Sequence, residues 1–251
     1  MSESMHEGGE PAPSAVRNDS GPLMPVVDGT RAALRAPWAA SVAGLLFAVL
    51  FTTGVLVLRH SPLTKADDAE LRRLFAIGAD LPVLVSSLYL LPFAGIMFLW
   101  FIAVIRDQVG EREDKFFATL FFGSGVLFIT LLFAGSGVIG STVVGVRELG
   151  MAAPTAGELA ATRALGYTLL FVIATRAAAV CVVAIATLGL RSRTFPRWVA
   201  VTGYLLGLSL LLFVSLWDAA LVLLPAWVAI VSVYILRRER RRSRAGSAPA
   251  S

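Results

Sequence analysis

Six apolar stretches of this sequence are each long enough to cross a lipid bilayer as a helix, and they constrain the fold more than any other feature. The hydrocarbon core of a bilayer is about 30 Å thick and requires about 20 helical residues. Of the 39 charged residues, 38 lie outside these stretches, and the exception is Arg176. Because backbone polar groups in lipid must be satisfied internally and no alternating pattern is present, we predict helices rather than barrel strands. The predicted spans are residues 37–58, 81–105, 116–146, 164–190, 198–216 and 219–236.

The composition agrees with a membrane protein, since 57% of the residues are apolar and 16% are charged. A soluble domain of this size would leave too much of that apolar surface in contact with water. The sequence therefore predicts an all-α membrane protein, a six-transmembrane-helix bundle. Residues 1–36 are predicted to be a disordered cytoplasmic arm, residues 37–236 the membrane domain, and residues 237–251 a basic cytoplasmic tail.

Lysine and arginine residues are unevenly divided between the two sides of the predicted bundle. One side carries 15, with three in the N-terminal arm, three after the second span, three after the fourth span and six in the tail. The other side carries six, four in the first loop and two in the third. By the positive-inside rule, both termini are expected in the cytoplasm.

Several classes of function lack the residues they need. A single cysteine, Cys181, excludes an intramolecular disulfide and a thiolate cluster, and His6 and His60 lie outside every span. The spans contain no paired carboxylates, no zinc-protease helix motif and no phosphate-binding glycine loop. We therefore expect no enzyme activity, no cofactor and no metal site. Since the basic residues lie at span ends and in the tail, we also expect no binding to nucleic acid.

Arg176 is the one charged residue predicted at membrane depth. A charged side chain there costs about 2.5 to 3.5 kcal/mol on insertion scales, so it should face protein or a water-filled cavity. Ser86 and Tyr89 of the second span are predicted at a similar depth, and Asp218 lies in the tight turn before the sixth span. We therefore name Arg176, Tyr89, Ser86 and Asp218 as candidate ligand-binding residues.

Two interpretations of Arg176 remain open at this point. In the first, Arg176 stabilises the bundle by donating hydrogen bonds to hydroxyls and to backbone carbonyls that lack a helical N–H donor because of Pro92 and Pro225, or it pairs with Asp218. Alternatively, it anchors an anionic or polar ligand in a cavity open to the outside.

The loops and the tail also carry recognisable patterns. Thr64-x-x-Asp67 and Thr155-x-x-Glu158 predict capped helices in the first and third loops, the first of them lying at the outer membrane interface. The spans are expected to contact the lipid bilayer, and the polybasic tail is expected to contact anionic lipid. Its basic residues are Arg237, Arg238, Arg240, Arg241, Arg242 and Arg244.

Small residues spaced four apart, such as Gly203 and Gly207, indicate close helix packing within the bundle or in a homodimer.

The loop between the fourth and fifth spans reads RSRTFPRW at residues 191–198, and Gly203 follows within the next span. The closing helix contains LPAW at residues 224–227 and SVYIL at residues 232–236. These motifs resemble those of multi-span membrane proteins of actinobacteria and related bacteria, a domain-of-unknown-function family. The resemblance covers about residues 38–236, implies a bacterial inner (plasma) membrane location, and supplies no catalytic residues.

The leading functional expectation is a multi-pass membrane protein that organises a membrane-protein partner or binds a small ligand. The alternative is a transporter or permease-like carrier of small molecules, with an outward-facing cavity around Arg176. A membrane-embedded enzyme is the third possibility.

Overall fold

A computed structural model describes residues 37–109, 115–192, 195–212 and 217–246, and all regular structure within these ranges is helical. The predicted N-terminal arm, the last four residues of the fifth predicted span and the end of the tail lie outside the described residues, as do the side chains of Asp218, Arg242 and Arg244. The helices are α1 (Pro37–Arg59), α2 (Asp68–Ala76), α3 (Leu81–Val85), α4 (Leu91–Val109), α5 (Lys115–Arg147), α6 (Ala156–Tyr167), α7 (Ala174–Arg191), α8 (Arg197–Leu212) and α9 (Trp217–Gly246). Two π-helical turns, Ser86–Leu90 and Thr168–Ile173, join α3 to α4 and α6 to α7.

Four helical segments of the described chain are long and apolar enough to cross a membrane. They are Trp38–Arg59, Leu81–Arg106, Phe116–Arg147 and Ala156–Arg191. They coincide with the first four predicted spans and confirm the membrane-type helical fold. The fifth predicted span corresponds to α8, a shorter apolar helix of 16 residues. The sixth lies within α9, and the count of six spans stays a prediction.

The long helices form a closed ring of neighbours. In order around the bundle, α1 packs against α4, α4 against α5, α5 against α7, α7 against α8, and α8 against α9. The ring closes because α9 also packs against α1. We call the end that carries Arg59, Leu81, Arg147 and Ala156 the loop end, and the opposite end, where α7 ends and α8 begins, the tail end.

Aromatic side chains fill the interior between α1, α4 and α5. The ring centroids of Phe47 and Phe98 are 4.8 Å apart, and those of Phe98 and Phe128 are 5.0 Å apart. All three side chains are buried, as is Phe101 beside them. The bundle is therefore packed with rings on this side rather than hollow.

On the other side of the bundle, small residues allow close helix approach. In α7 the buried residues are mainly alanine, and the candidate span Ala156–Arg191 that contains α7 is more buried than the other three. Gly203 and Gly207 of α8 face Trp227 and Val183, so this predicted small-residue pair packs inside the bundle. Gly137 of α5 has no neighbouring atom where a Cβ would lie.

The two predicted loop helices are present, with one correction. The third-loop prediction is confirmed, because Thr155 and Glu158 form a reciprocal capping box at the start of α6. The first-loop helix is capped by Asp67, which accepts from Glu70 N at 2.8 Å, so the predicted cap at Thr64 is wrong. Asp67 has the extended backbone typical of an N-cap residue directly before the first helical turn, whereas Thr64 lies in a preceding 3₁₀ turn.

The first-loop helix packs against the rest of the bundle. Leu71 is fully buried and Phe75 is nearly so, and both belong to the main hydrophobic core. The helix α2 therefore packs its apolar face onto the ends of the spans, and its position at the membrane interface stays a prediction. At the opposite end, α9 continues as helix through the first ten tail residues to Gly246.

Candidate functional site

Arg176, the leading candidate from the sequence, lies three residues after the π-helical turn Thr168–Ile173. Its guanidinium is partly buried and donates to the carbonyl oxygen of Val172, four residues earlier. The neighbouring Thr175 hydroxyl donates to the carbonyl of Phe171 at 2.8 Å. A π-helical turn disturbs the regular ladder of backbone hydrogen bonds, and these two side chains satisfy carbonyls at its end.

The other three predicted site residues occupy different surroundings. Ser86 is fully buried and donates to the carbonyl of Gly54 in α1 at 2.6 Å. The Tyr89 side chain is 56% exposed. Among the described side chains, no hydrogen bond joins Arg176 to Ser86 or Tyr89. Asp218 lies in the first turn of α9, and its side chain is outside the described residues. A ligand site formed by these four residues stays a prediction.

An ion pair that sequence reasoning missed joins two spans at the loop end. The Asp80 carboxylate receives two hydrogen bonds from Arg147, from Nε to Oδ2 and from Nη2 to Oδ1, both at 2.5 Å. The Asp80 side chain is completely buried, and that of Arg147 is 30% exposed. Two parallel bonds between a guanidinium and a carboxylate fix distance and orientation together. This contact, which we call the loop-end clasp, ties the start of α3 to the end of α5.

Local structure places both partners of the clasp. Gly78 ends α2 with a φ of +80°, which turns the chain so that Asp80 precedes α3. Arg147 is the last residue of α5. An acidic residue at a helix start and a basic residue at a helix end both interact favourably with the helix dipoles. The glycine and the charges at the span ends were visible in the sequence, but their pairing across 67 residues was not.

A small cavity lies near the clasp, between α1, α3, α5 and α6. Its volume is about 20 Å³, which is room for about one water molecule. Most of its wall is apolar, and its polar groups come from Ser61, Arg163 and Tyr167. We call this the loop-end cavity. Sequence reasoning counted Arg163 only as a loop charge and did not single out Ser61 or Tyr167.

The polar groups of the loop-end cavity are unevenly satisfied. The Ser61 hydroxyl is buried and has no hydrogen-bond partner among the described residues, and the residue is only 6% exposed. The Tyr167 hydroxyl lies 3.4 Å from the carbonyl oxygen of Leu58 and 3.4 Å from Nη2 of Arg163. The Arg163 guanidinium also lies over the Tyr167 ring, 5.3 Å from its centroid. The cavity thus presents a hydroxyl, a phenol and a cation to one small space.

A second contact between loops holds this end of the bundle in place. The backbone N–H of Ala156, in the first turn of α6, donates to Oδ1 of Asp68 in the first turn of α2 at 2.6 Å. The two loop helices are therefore joined to each other above the spans. Among the described residues, no group of three or more His, Cys, Asp or Glu side chains is placed to hold a metal ion.

Comparisons of the chain with family models, with curated proteins and with solved structures find no match in any of the three.

Proposed function

We propose that the chain is a non-catalytic, multi-pass protein of the bacterial inner membrane that binds a small anion in the loop-end cavity. The sequence predicts a small-ligand site around Arg176, and the proposal places the site around Arg163 instead. The cavity is not lined by Arg176.

The observation that carries the proposal is the Ser61 hydroxyl. A buried hydroxyl without a partner loses the hydrogen bonds it would make in water, which costs on the order of 1 to 3 kcal/mol. This cost is small when a ligand or an ordered water forms the missing hydrogen bonds. Ser61 lines a cavity of the right size for one such species.

The chemistry of the cavity favours an anion over a cation. Arg163 supplies a permanent positive charge, and the Ser61 hydroxyl can donate to a ligand, whereas the Tyr167 hydroxyl already donates to the Leu58 carbonyl. No carboxylate contributes to the cavity wall. The cavity volume limits the ligand to about the size of a water molecule, so a halide such as chloride fits and phosphate does not.

The test is the chloride dependence of thermal stability in detergent solution. Sodium chloride replaces sodium gluconate at constant ionic strength, and the melting temperature is recorded at each step. A ligand at ten times its Kd stabilises the folded state by about 1.4 kcal/mol. We expect chloride to raise the melting temperature of the wild type and to lose this effect in Ser61→Ala and in Arg163→Gln.

Matched controls separate the site from general salt effects. Ser141→Ala removes an exposed hydroxyl from α5, and Arg73→Gln removes an exposed charge from α2. Both controls should keep the chloride response. The proposal fails if Ser61→Ala responds to chloride as the wild type does, or if a crystal grown in bromide shows only a water in the cavity.

The membrane arrangement within this proposal is six spans with both termini in the cytoplasm. It is supported by the excess of 15 over 6 basic residues on one side and by the ring that α8 and α9 complete. Single cysteines placed in a Cys181→Ser background, at His60 and at Arg240, test it with a maleimide that does not cross membranes. We expect His60→Cys to react in intact cells and Arg240→Cys to react only after permeabilisation. The reverse pattern, or labelling of both positions from outside, excludes the arrangement.

A further inference from the structure

An open groove runs between α8 and α9 at the tail end. Its volume is about 330 Å³, and its wall is almost entirely apolar. The residues that line it are Trp198, Ala229, Ile230, Val233, Tyr234 and Arg237. Trp198 is 54% exposed and Ile230 is 46% exposed, so the groove opens to the outside of the bundle. We call it the tail-end groove.

The α9 side of the groove continues directly into the basic tail. A helix turns by 100° per residue, which places Ile230, Val233, Arg237, Arg240 and Arg241 within a sector of about 100° on one face. The helix is continuous through these residues. Arg237, Arg240 and Arg241 are all exposed. One face of α9 is therefore apolar along the groove and basic immediately beyond it.

Trp198 marks the level at which this change occurs. It is the second residue of α8, directly after Arg197, and it lies across the groove from α9. Tryptophan near a span end favours the boundary between hydrocarbon and headgroups. A groove that begins in the apolar layer and ends in arginines at this boundary matches the two parts of an acidic phospholipid.

We propose that the tail-end groove binds one acidic phospholipid, with an acyl chain along Ile230 and Val233 and the phosphate at Arg237. Arg240 and Arg241 follow on the same helix face and favour a headgroup that carries a net negative charge. Guanidinium groups pair with phosphate oxygens through two parallel hydrogen bonds, which suits this end of the groove. The groove is at the lower limit of ordinary ligand cavities, about 300 Å³, and one acyl chain is a suitable occupant.

Two kinds of variant separate the groove from simple charge attraction. Ile230→Trp fills the groove and leaves every arginine in place. Arg237→Gln removes the charge at the groove end and leaves the groove open. The matched controls are Leu208→Trp, which adds the same ring at an exposed position of α8 outside the groove, and Arg73→Gln at the loop end.

The experiment measures lipids that stay bound to the full-length protein in detergent, counted by native mass spectrometry during titration with phosphatidylglycerol or phosphatidylcholine. We expect one tightly retained phosphatidylglycerol and clearly weaker retention of phosphatidylcholine. Each basic residue near a headgroup contributes a factor of about five in affinity, so Arg237→Gln should weaken phosphatidylglycerol binding about fivefold. Ile230→Trp should remove the retained lipid, and both controls should bind as the wild type does.

Three results would overturn the proposal. Equal retention of the two lipids would show that the arginines do not select the headgroup. Unchanged binding in Ile230→Trp would show that the tail attracts lipid by charge alone, without the groove. Equal losses in Leu208→Trp and Ile230→Trp would trace the effect to the added ring and not to its position. The melting temperature of each variant, measured in the same detergent, shows that a loss of lipid is not a loss of fold.

Discussion

Gly135 and Gly137 lie two residues apart in α5, and the same substitution is expected to have different effects at the two positions. A Cβ atom at position 135 would lie 2.7 Å from Cγ of Leu170 and 3.0 Å from the carbonyl oxygen of Gly166. A Cβ atom at position 137 would have no neighbouring atom within 4 Å. Gly135→Ala therefore pushes α5 away from α6, whereas Gly137→Ala adds a methyl group to open space.

The size of the difference follows from two opposing contributions. Replacing glycine by alanine inside a helix stabilises it by about 1 kcal/mol, and this gain is common to both variants. Overpacking at a close contact destabilises by about 1 to 3 kcal/mol, and it applies only to position 135. The backbone oxygen of Gly166 cannot rotate away as a side chain could. We therefore expect Gly135→Ala to be less stable than Gly137→Ala by about 1 to 3 kcal/mol.

The assay is equilibrium unfolding in mixed micelles, titrated with sodium dodecyl sulfate and followed by circular dichroism. The reciprocal variant Gly166→Ala should behave as Gly135→Ala does, because its Cβ would lie 3.0 Å from the carbonyl oxygen of Gly135. If the free energies of unfolding of the position 135 and position 137 variants agree within about 0.5 kcal/mol, the close approach of α5 and α6 is not a constraint on the fold.

Two further predictions concern the loop end. Thr155→Ala removes the cap of α6 and should lower local helix stability by about 1 kcal/mol, seen as faster hydrogen exchange at the amide of Glu158, whereas amides in α9 should be unaffected. Asp80→Asn leaves the Arg147 guanidinium facing a neutral amide and should lower the melting temperature, while Glu148→Gln, an exposed change one residue from Arg147, should not. Equal melting temperatures for Asp80→Asn and Glu148→Gln would show that the loop-end clasp does not stabilise the fold.

The first four spans were predictable because lipid imposes a simple rule on sequence. A helix that crosses hydrocarbon needs a long run without charges, and four such runs reappear within one residue of their predicted limits, except at the start of the fourth. The ends of those helices were less predictable. The helix that contains the fourth span begins at Ala156 rather than at residue 164, because the Thr155 capping box starts a helix that runs through a π-helical turn without a break.

The loop-end groups were not predictable because they depend on contacts between distant segments. Asp80 and Arg147 are 67 residues apart, and Ser61 gains its buried position from a cavity whose walls come from four helices. The local pattern Thr155-x-x-Glu158 predicted the start of α6 correctly, since a cap is a contact within four residues, whereas Thr64-x-x-Asp67 placed the start of α2 three residues too early. They contain no information on which span ends meet.

Arg176 and Arg163 differ in how clearly the sequence marks them. Counting charges within apolar runs detects a residue that is costly for its depth, and Arg176 is the one that this count finds. The structure gives Arg176 a hydrogen-bond acceptor on its own helix, at the end of a π-helical turn, so a nearby carbonyl offsets part of that cost. Arg163 is inconspicuous in sequence because a charge at a span end is ordinary, yet it shares a cavity with a buried hydroxyl that has no partner among the described residues. A charged residue within an apolar run identifies a side chain that is costly to place in the membrane. A buried polar group without a hydrogen-bond partner identifies a position where a ligand could supply one. In this bundle the first criterion selects Arg176 and the second selects Arg163.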